Sequence, residues 1–327
     1  AKYELGSNYK SEFNFASEDR WTYPRNSTPG KRNLAPVFGF VSGEGESRFA
    51  QRYGQMIVAF ETISKVPLGL HYSQYKIKSA TVKATVALDE QFLYDGTPDD
   101  YSKYNGVDDT VSPVELFGTG FRNGFDSLTW DETSPLSARN DDGGNNAYSL
   151  GFSDGQPTDV DYYQFASPHN ASAFAIGQID GLEQGELVPE DSEFEFSINV
   201  DDVNIQRYIA ESLSKGKVFF TLSQILYAKT ENGGKGYPDL YTKDHILGES
   251  PTLELEFEII PAKLDPAVLS ISRNDNGGVT VKWAGSGDLF SSEKLGNGAS
   301  WEKIQTNGNS YDSSPAGSSR YYRVIEN

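Results

Sequence analysis

The sequence predicts an all-β chain: a large jelly-roll-type β-sandwich with one short helix over residues 1–260, then a small immunoglobulin-like β-sandwich over residues 261–327. Three observations predict it. Several runs alternate apolar and polar residues with a period of two, the signature of strands that bury one face. Nineteen Tyr and nineteen Phe against one Met favour a pleated surface, on which rings and β-branched chains pack well. Long polar segments rich in Gly, Asp, Asn and Pro separate the runs, as loops between antiparallel strands do.

Taken in order, residues 1–17 read as an extended N-terminal arm. This arm and the terminal "RYYRVIEN" are expected to dock as strands on their own chain or on a neighbour, as in strand-donating assemblies. "GQMIVAFE" (54–61) and "VSPVELFGTGF" (111–121) read as strands. In "KSATVKATVAL" (78–88), Ala80, Val82, Ala84, Val86 and Leu88 are expected to face inward, with Thr81, Lys83 and Thr85 outward. In "SEFEFSINV" (192–200), Phe194, Phe196, Ile198 and Val200 oppose Glu193, Glu195 and Asn199.

"DDVNIQRYIAESLSKGK" (201–217) predicts a helix. Asp residues suit its N-cap, Gly216 suits its C-cap, and Ile205, Tyr208, Ile209 and Leu213 form an apolar stripe to plug one end of the sandwich. "KVFFTLSQIL" (217–226) is apolar enough for a central strand. "ESPTLELEFEII" (249–260) closes the large domain, with Leu253, Leu255, Phe257 and Ile259 alternating with Glu254, Glu256 and Glu258. These carboxylates lie ~7 Å apart on one face, and are expected on a wet outer surface where lysines such as Lys83 offset their repulsion.

Two prolines in "IIPAKLDPAVLS" (259–270) mark the boundary. Beyond it, "GGVTVKWAG" (with Val279, Val281 and Trp283 in register), "DLFSSEKL", "WEKI" and "RYYRVIE" are short strands with turn signals every ~8–12 residues, the spacing of a small immunoglobulin-like or fibronectin-like sandwich.

Composition narrows the function. A net charge of −19 argues against nucleic-acid partners, whose phosphates demand Lys and Arg, and against anionic membrane surfaces. No cysteine is present, which removes disulfides and thiolate chemistry. No run of ~18 apolar residues occurs, so no membrane insertion is expected. The start, "AKYELGSNYKSEF", lacks a basic segment followed by an apolar one, so an exported form is expected to have lost its signal peptide already.

His71, His169 and His245 show no metal-ligand spacing, and neither a nucleophile elbow nor a phosphate-binding glycine loop appears. A catalytic pair of carboxylates would need no local motif, yet nothing singles one out. Binding chemistry is more legible. Tyr94, Tyr101 and Tyr104, Tyr162 and Tyr163, and Tyr237 and Tyr241 lie in polar loops and could stack on sugar rings. For any one of them the more ordinary role is to anchor its loop by burying the ring. Asp108, Asp109, Asp141, Asp142 and Asn145, together with Asp275, could supply oxygens to calcium, although doubled Asp beside Gly is also ordinary turn chemistry. No cofactor is required by any motif, and calcium is the one the loops could hold.

"EDRWTYPRNSTPGKRNLAPVFG" (18–39), "ELFGTGFRNGF" (115–125), "VNIQRYIAESLSKGKVFFTL" (203–222) and "YPDLYTKDHILGESPTLELEFE" (237–258) resemble the DNRLRE-type domains of secreted bacterial proteins. Pro251, Leu253, Leu255 and Phe257 fall on the closing-strand pattern of such domains, and "YTKD" (241–244) on the loop before it. The segment "VTVKWAGSGDLFSSEKLGNGASWEKI" with "SSRYYRV" resembles short C-terminal β-domains found in Verrucomicrobia-like bacteria. The resemblance implies an extracellular or cell-surface protein with carbohydrate binding as the suggested activity, and it supplies no catalytic residue. The expectation is a non-catalytic structural protein whose partner is a copy of itself, as in a filament, sheath or surface layer. The alternative is a carbohydrate-binding adhesin gripping an extracellular polysaccharide.

Overall fold

The computed structural model describes residues 3–22, 32–41, 52–99, 111–134, 146–161, 171–224, 236–246, 249–262, 268–284, 287–295, 299–306, 308–314 and 320–325. The chain divides into two compact units, Ala1–Pro261 and Ala262–Asn327.

The large unit is an antiparallel β-sandwich. Its strands are β1 (Asn8–Phe13), β2 (Glu18–Thr22), β3 (Leu34–Pro36), β4 (Phe38–Val41), β5 (Arg52–Glu61), β6 (Tyr75–Thr85), β7 (Glu115–Phe121), β8 (Ala147–Ser153), β9 (Gln156–Asp159), β10 (Ala175–Ile176), β11 (Glu193–Ser197), β12 (Lys217–Ser223), β13 (Asp239–Tyr241) and β14 (Thr252–Ile259). The first sheet has the order β1-β14-β6-β11 and the second the order β2-β5-β12-β7-β8-β9, with β4 also on β5 and β10 also on β7; β13 pairs with β3. The chain passes between the two main sheets repeatedly, as in a jelly roll.

The inner faces follow the period-two pattern. Ala80, Val82 and Ala84 of β6 and Leu253, Leu255, Phe257 and Ile259 of β14 meet Met56, Val58 and Phe60 of β5 and Val218, Phe220 and Leu222 of β12 in one core. Leu88 departs from the expected register: β6 ends at Thr85, the alternation stops with it, and Leu88 is exposed. At one side of the sandwich a short segment ties the sheets together. β10 pairs with β7, and Gln178 exchanges backbone hydrogen bonds of 2.9 and 2.8 Å with Glu195 of β11.

The helix spans Val203–Lys215, and its ends are closed as the sequence predicts. The Asp202 carboxylate accepts the Asn204 and Ile205 N–H groups at 2.8 and 3.2 Å, and Gly216 takes the left-handed conformation (φ 86°) that stops the helix. Ile205, Ile209 and Leu213 join the core, and the helix touches both β6 and β12, one strand of each sheet. Tyr208 reaches further. Its hydroxyl accepts the Thr119 N–H (2.8 Å) and donates to the Phe219 carbonyl (2.7 Å), bridging β7 and β12. Gly118 makes room for this, since a Cβ there would lie 3.0 Å from the Tyr208 ring and 2.9 Å from Phe174.

The small unit holds two three-stranded antiparallel sheets. β15 (Val268–Arg273), β16 (Val279–Ala284) and β19 (Ser310–Asp312) form one, in the order β15-β16-β19; β17 (Asp288–Ser292), β18 (Glu302–Lys303) and β20 (Tyr321–Ile325) form the other, in the order β18-β17-β20. Val281, Trp283 and Leu289 make its core, with Leu269, Val279, Ile304, Tyr311, Tyr322 and Val324 packed against them. First, second and fifth strands share a sheet as in immunoglobulin domains, but the fourth pairs with the third instead.

Candidate functional site

Of the tyrosines expected as sugar platforms, Tyr94 and Tyr241 are buried as anchors. Tyr94 is buried, its hydroxyl donating to Gln178 Oε1 (3.1 Å) and accepting the Ile179 N–H (3.3 Å). Tyr241 is buried too, its ring 4.5 Å from that of His245. Tyr237 is half-buried against the core, with its ring 4.8 Å from Phe38. An amphipathic ring in a polar loop serves burial as readily as display; Tyr94 and Tyr241 correct the expectation of a stacking surface, while Tyr237 keeps part of its ring exposed. Tyr101, Tyr104, Tyr162 and Tyr163, and the calcium candidates Asp108, Asp109, Asp141, Asp142 and Asn145, lie outside the described residues. Asp275 is exposed in the turn Asn274–Gly277. Among the described residues no three His, Asp or Glu side chains are grouped to hold a metal ion. His71 closes the short 3-10 turn Tyr72–Gln74, where its Nδ1 lies 2.8 Å from Ser73 Oγ.

Three arrangements gather the polar chemistry. The first is the outer face of the first sheet. Glu254, Glu256 and Glu258 of β14 point outward among lysines from both neighbouring strands: Lys10 lies 3.5 Å from Glu254, and Lys76 and Lys78 lie 3.8 and 3.1 Å from Glu258. Lys83 sits between Glu193 (2.8 Å) and Glu195 (3.8 Å) of β11. Like charges in a row are thus separated by opposite charges across strands.

The second is buried on the outer face of the second sheet. Gln55 Nε2 lies within hydrogen-bond reach of Ser149 Oγ (3.0 Å), Ser223 Oγ (3.1 Å) and Asp161 Oδ1, while Asp161 Oδ2 accepts the Ser149 N–H at 2.8 Å. Thr119 and Thr221 hydroxyls meet beside them at 2.8 Å. Burial pushes the Asp161 carboxyl up to about 7, with Asp159 adding to the rise and the Ser149 N–H and Gln55 opposing it. Asp159 is itself paired with Arg122 at 2.7 Å, whose guanidinium covers the Tyr148 ring at 4.3 Å.

The third surrounds the edge of β2 that no described strand pairs with. Asp19 is 1% exposed. Its N–H donates to Glu132 Oε2 (3.3 Å), and its carboxylate accepts the Lys243 N–H. The Lys243 ammonium holds Glu132 (3.0 Å) and Asp244 (3.2 Å). On the opposite face of the strand the Arg20 guanidinium donates to the Ser134 carbonyl. Burial raises the Asp19 carboxyl to about 7 against the pull of Lys243, and Asp244 and Glu132 raise it further.

Sequence reading missed both buried clusters. A signal existed for the second arrangement: Gln55, Thr119, Thr221 and Ser223 are polar at alternate positions of otherwise apolar strands. For the third the signal was the run "YTKD" itself, which supplies Lys243 and Asp244.

On the small unit, Leu289 is buried with Tyr322 and Val324 packed against the core, and alternation about them puts Phe290, Tyr321 and Arg323 on the outward face of β18-β17-β20. The Arg323 guanidinium lies 4.2 Å from the centre of the Trp301 ring. Trp301, Phe290 and Tyr321 are half-buried there. Residues 262–327 carry seven Lys or Arg and seven Asp or Glu, so all nineteen net negative charges belong to the large unit.

Comparison with known proteins finds no family model that matches this chain, and no curated protein that matches it.

Proposed function

We propose that this protein is a non-catalytic extracellular structural subunit that associates with copies of itself through its β-modules. The observation that carries this reading is the pair of sheet edges formed by β1 and β2, consecutive strands that end one sheet each among the described residues. Each edge is guarded by a few side chains: Lys65 donates to the Glu12 carbonyl at β1, and Glu132 accepts the Asp19 N–H at β2. Edges guarded this way can accept a strand from another copy once the guard moves. The acids with the most altered proton affinity, Asp19 and Asp161, are 1% and 4% exposed and bonded to backbone N–H groups, a placement suited to holding strands. The resemblance of residues 15–259 to DNRLRE-type secreted domains agrees with an extracellular setting. Light scattering at micromolar concentration, with negative-stain microscopy, tests the reading: assemblies larger than one chain are expected, and a monomer without polymers removes it.

A second reading, adhesion to polysaccharide, is favoured by Trp301, Phe290 and Tyr321 on one outward face of the small unit, because partly exposed rings stack on sugar faces. Pull-down on extracellular polysaccharides tests it. Retention that Trp301→Ala abolishes supports adhesion, and no retention removes it.

A further inference from the structure

We propose that Asp19, Glu132, Lys243 and Asp244 form a proton-operated latch over the edge of β2 that no described strand pairs with, shut when Asp19 carries a proton and loosened when it is ionised. The geometry is a closed circuit through three segments. From β2 the Asp19 N–H runs to Glu132, in the loop that also carries Trp130. From Glu132 the ion pair runs to the Lys243 ammonium at 3.0 Å, and from the Lys243 N–H the circuit returns to the Asp19 carboxylate. Breaking a link removes one tie between a loop and the strand edge, while the Arg20 guanidinium still holds the Ser134 carbonyl on the other face.

The charges set the direction. With Asp19 ionised, three carboxylates (Asp19, Glu132 and Asp244) face one ammonium, that of Lys243. Arg20 lies on the other face of β2 against Asp131 and Glu132, and the neighbouring Glu18 is already paired with Lys217. Asp19 Oδ1 is buried with no hydrogen-bond partner, and an unsolvated carboxylate oxygen is the place where a proton costs least to keep. Opening returns Asp19 to water, where its affinity falls from about 7 to the ordinary 3.8. Opening therefore releases one proton between those values, and the opening constant rises about tenfold per pH unit across that window and is level above it.

Once uncovered, the β2 edge presents backbone groups that no described strand pairs with, for which an extended strand is the natural partner. That this strand comes from a second copy of the chain rests on the self-association proposed above; the latch itself does not.

Hydrogen exchange on the full chain from pH 5 to 8, corrected for intrinsic rates, tests the latch by comparing peptides over residues 17–22 with those over 217–223, which report global opening. In the unaltered protein the β2 peptide's opening constant is expected to climb about tenfold per unit up to about pH 7 and then level. Asp19→Asn should be flat over that range, and Glu132→Gln should move the levelling point to lower pH. A flat profile in the unaltered protein, or an unchanged slope in Asp19→Asn, overturns the latch. Should Asp19→Asn not fold, carboxyl NMR of the unaltered chain decides: an Asp19 midpoint near the ordinary 3.8 overturns the proposal and one near 7 supports it. Light scattering in the same buffers reads the partner. Mass growing with opening supports a second copy, whereas a latch profile at constant monomer mass keeps the latch and removes self-association.

Discussion

The two sheets of the large unit share one core yet differ on their far sides. The first sheet turns Lys10, Lys76, Lys78, Lys83 and the glutamates of β11 and β14 to solvent. The second sheet is covered on its far side as well: Ile57, Ala59 and Phe219 pack with Trp130 and Ala147, flanked by Phe121 and Phe125. A strand with one wet face must alternate, and β14 does. A strand covered on both faces can be apolar throughout, which is why "KVFFTL" in β12 breaks the alternation. Where polar side chains occur on the covered face, as at Gln55, Ser149 and Asp161, they must bond to one another, because water is not there to do it.

The comparison breaks most directly at Trp130, 2% exposed in the loop that follows β7. Trp130→Ala removes the largest side chain of the cover, and the expected loss is about 3–5 kcal/mol in urea unfolding, whereas a sheet with a solvated outer face would lose almost nothing. Next comes the buried acid. Because the folded state holds the Asp161 proton more tightly than the unfolded chain (about 7 against 3.8), its contribution to stability is full below the lower value. It is lost as pH rises through the window and level above it. Between pH 5 and 7.5 the loss from this residue is roughly 2–3 kcal/mol at most. Asp161→Asn should remove this residue's share of the slope and leave that of Asp19, and an unchanged profile would show the carboxylate to be hydrated.

These two sites also mark where the sequence stops being legible. The glutamate alternation of β14, the phenylalanine alternation of β11 and the capped helix are local patterns, and each stands in the structure as read. The cover on the second sheet is not local. Trp130 meets Phe219 (5.7 Å between rings) across nearly ninety residues of chain, and no periodicity connects them. The same holds for Asp19 and Lys243, brought together only when β2 and the segment after β13 reach one edge. Tyr94 and Tyr241 failed as exposed platforms for a related reason: a loop tyrosine's burial is decided by what packs over it, here Gln178 and Ile179 for Tyr94.

Tyr208 sharpens the contrast at the level of single hydrogen bonds. The helix inserts its hydroxyl between Thr119 N–H and the Phe219 carbonyl, and burial pushes its proton affinity upward, so it stays neutral and donating. Tyr208→Phe keeps the ring over Gly118 but leaves two backbone groups without their bridge, at an expected cost of about 1–3 kcal/mol. A loss near zero would mean that β7 and β12 close on each other without it.

The smallest effect belongs to the solvated face. Glu258 sits between Lys76 and Lys78, and Lys78→Ala removes the shorter of its two ion pairs. Exposed pairs of this kind contribute about 0–1 kcal/mol and are screened by salt, so the change in unfolding free energy should be a few tenths of a kcal/mol at low ionic strength and vanish near 1 M salt. The charges matter more for what they prevent. Glu254 to Glu258 on β14 and Lys10 on β1 make the face next to the β1 edge costly to desolvate against another sheet. Removing Lys78 should therefore leave solubility intact, whereas replacing Glu254, Glu256 and Glu258 together with Thr should increase turbidity without lowering the melting temperature. Clear solutions of that triple variant would show that the edge is guarded by Lys65 and β1's own shape, with the carboxylates serving hydration alone.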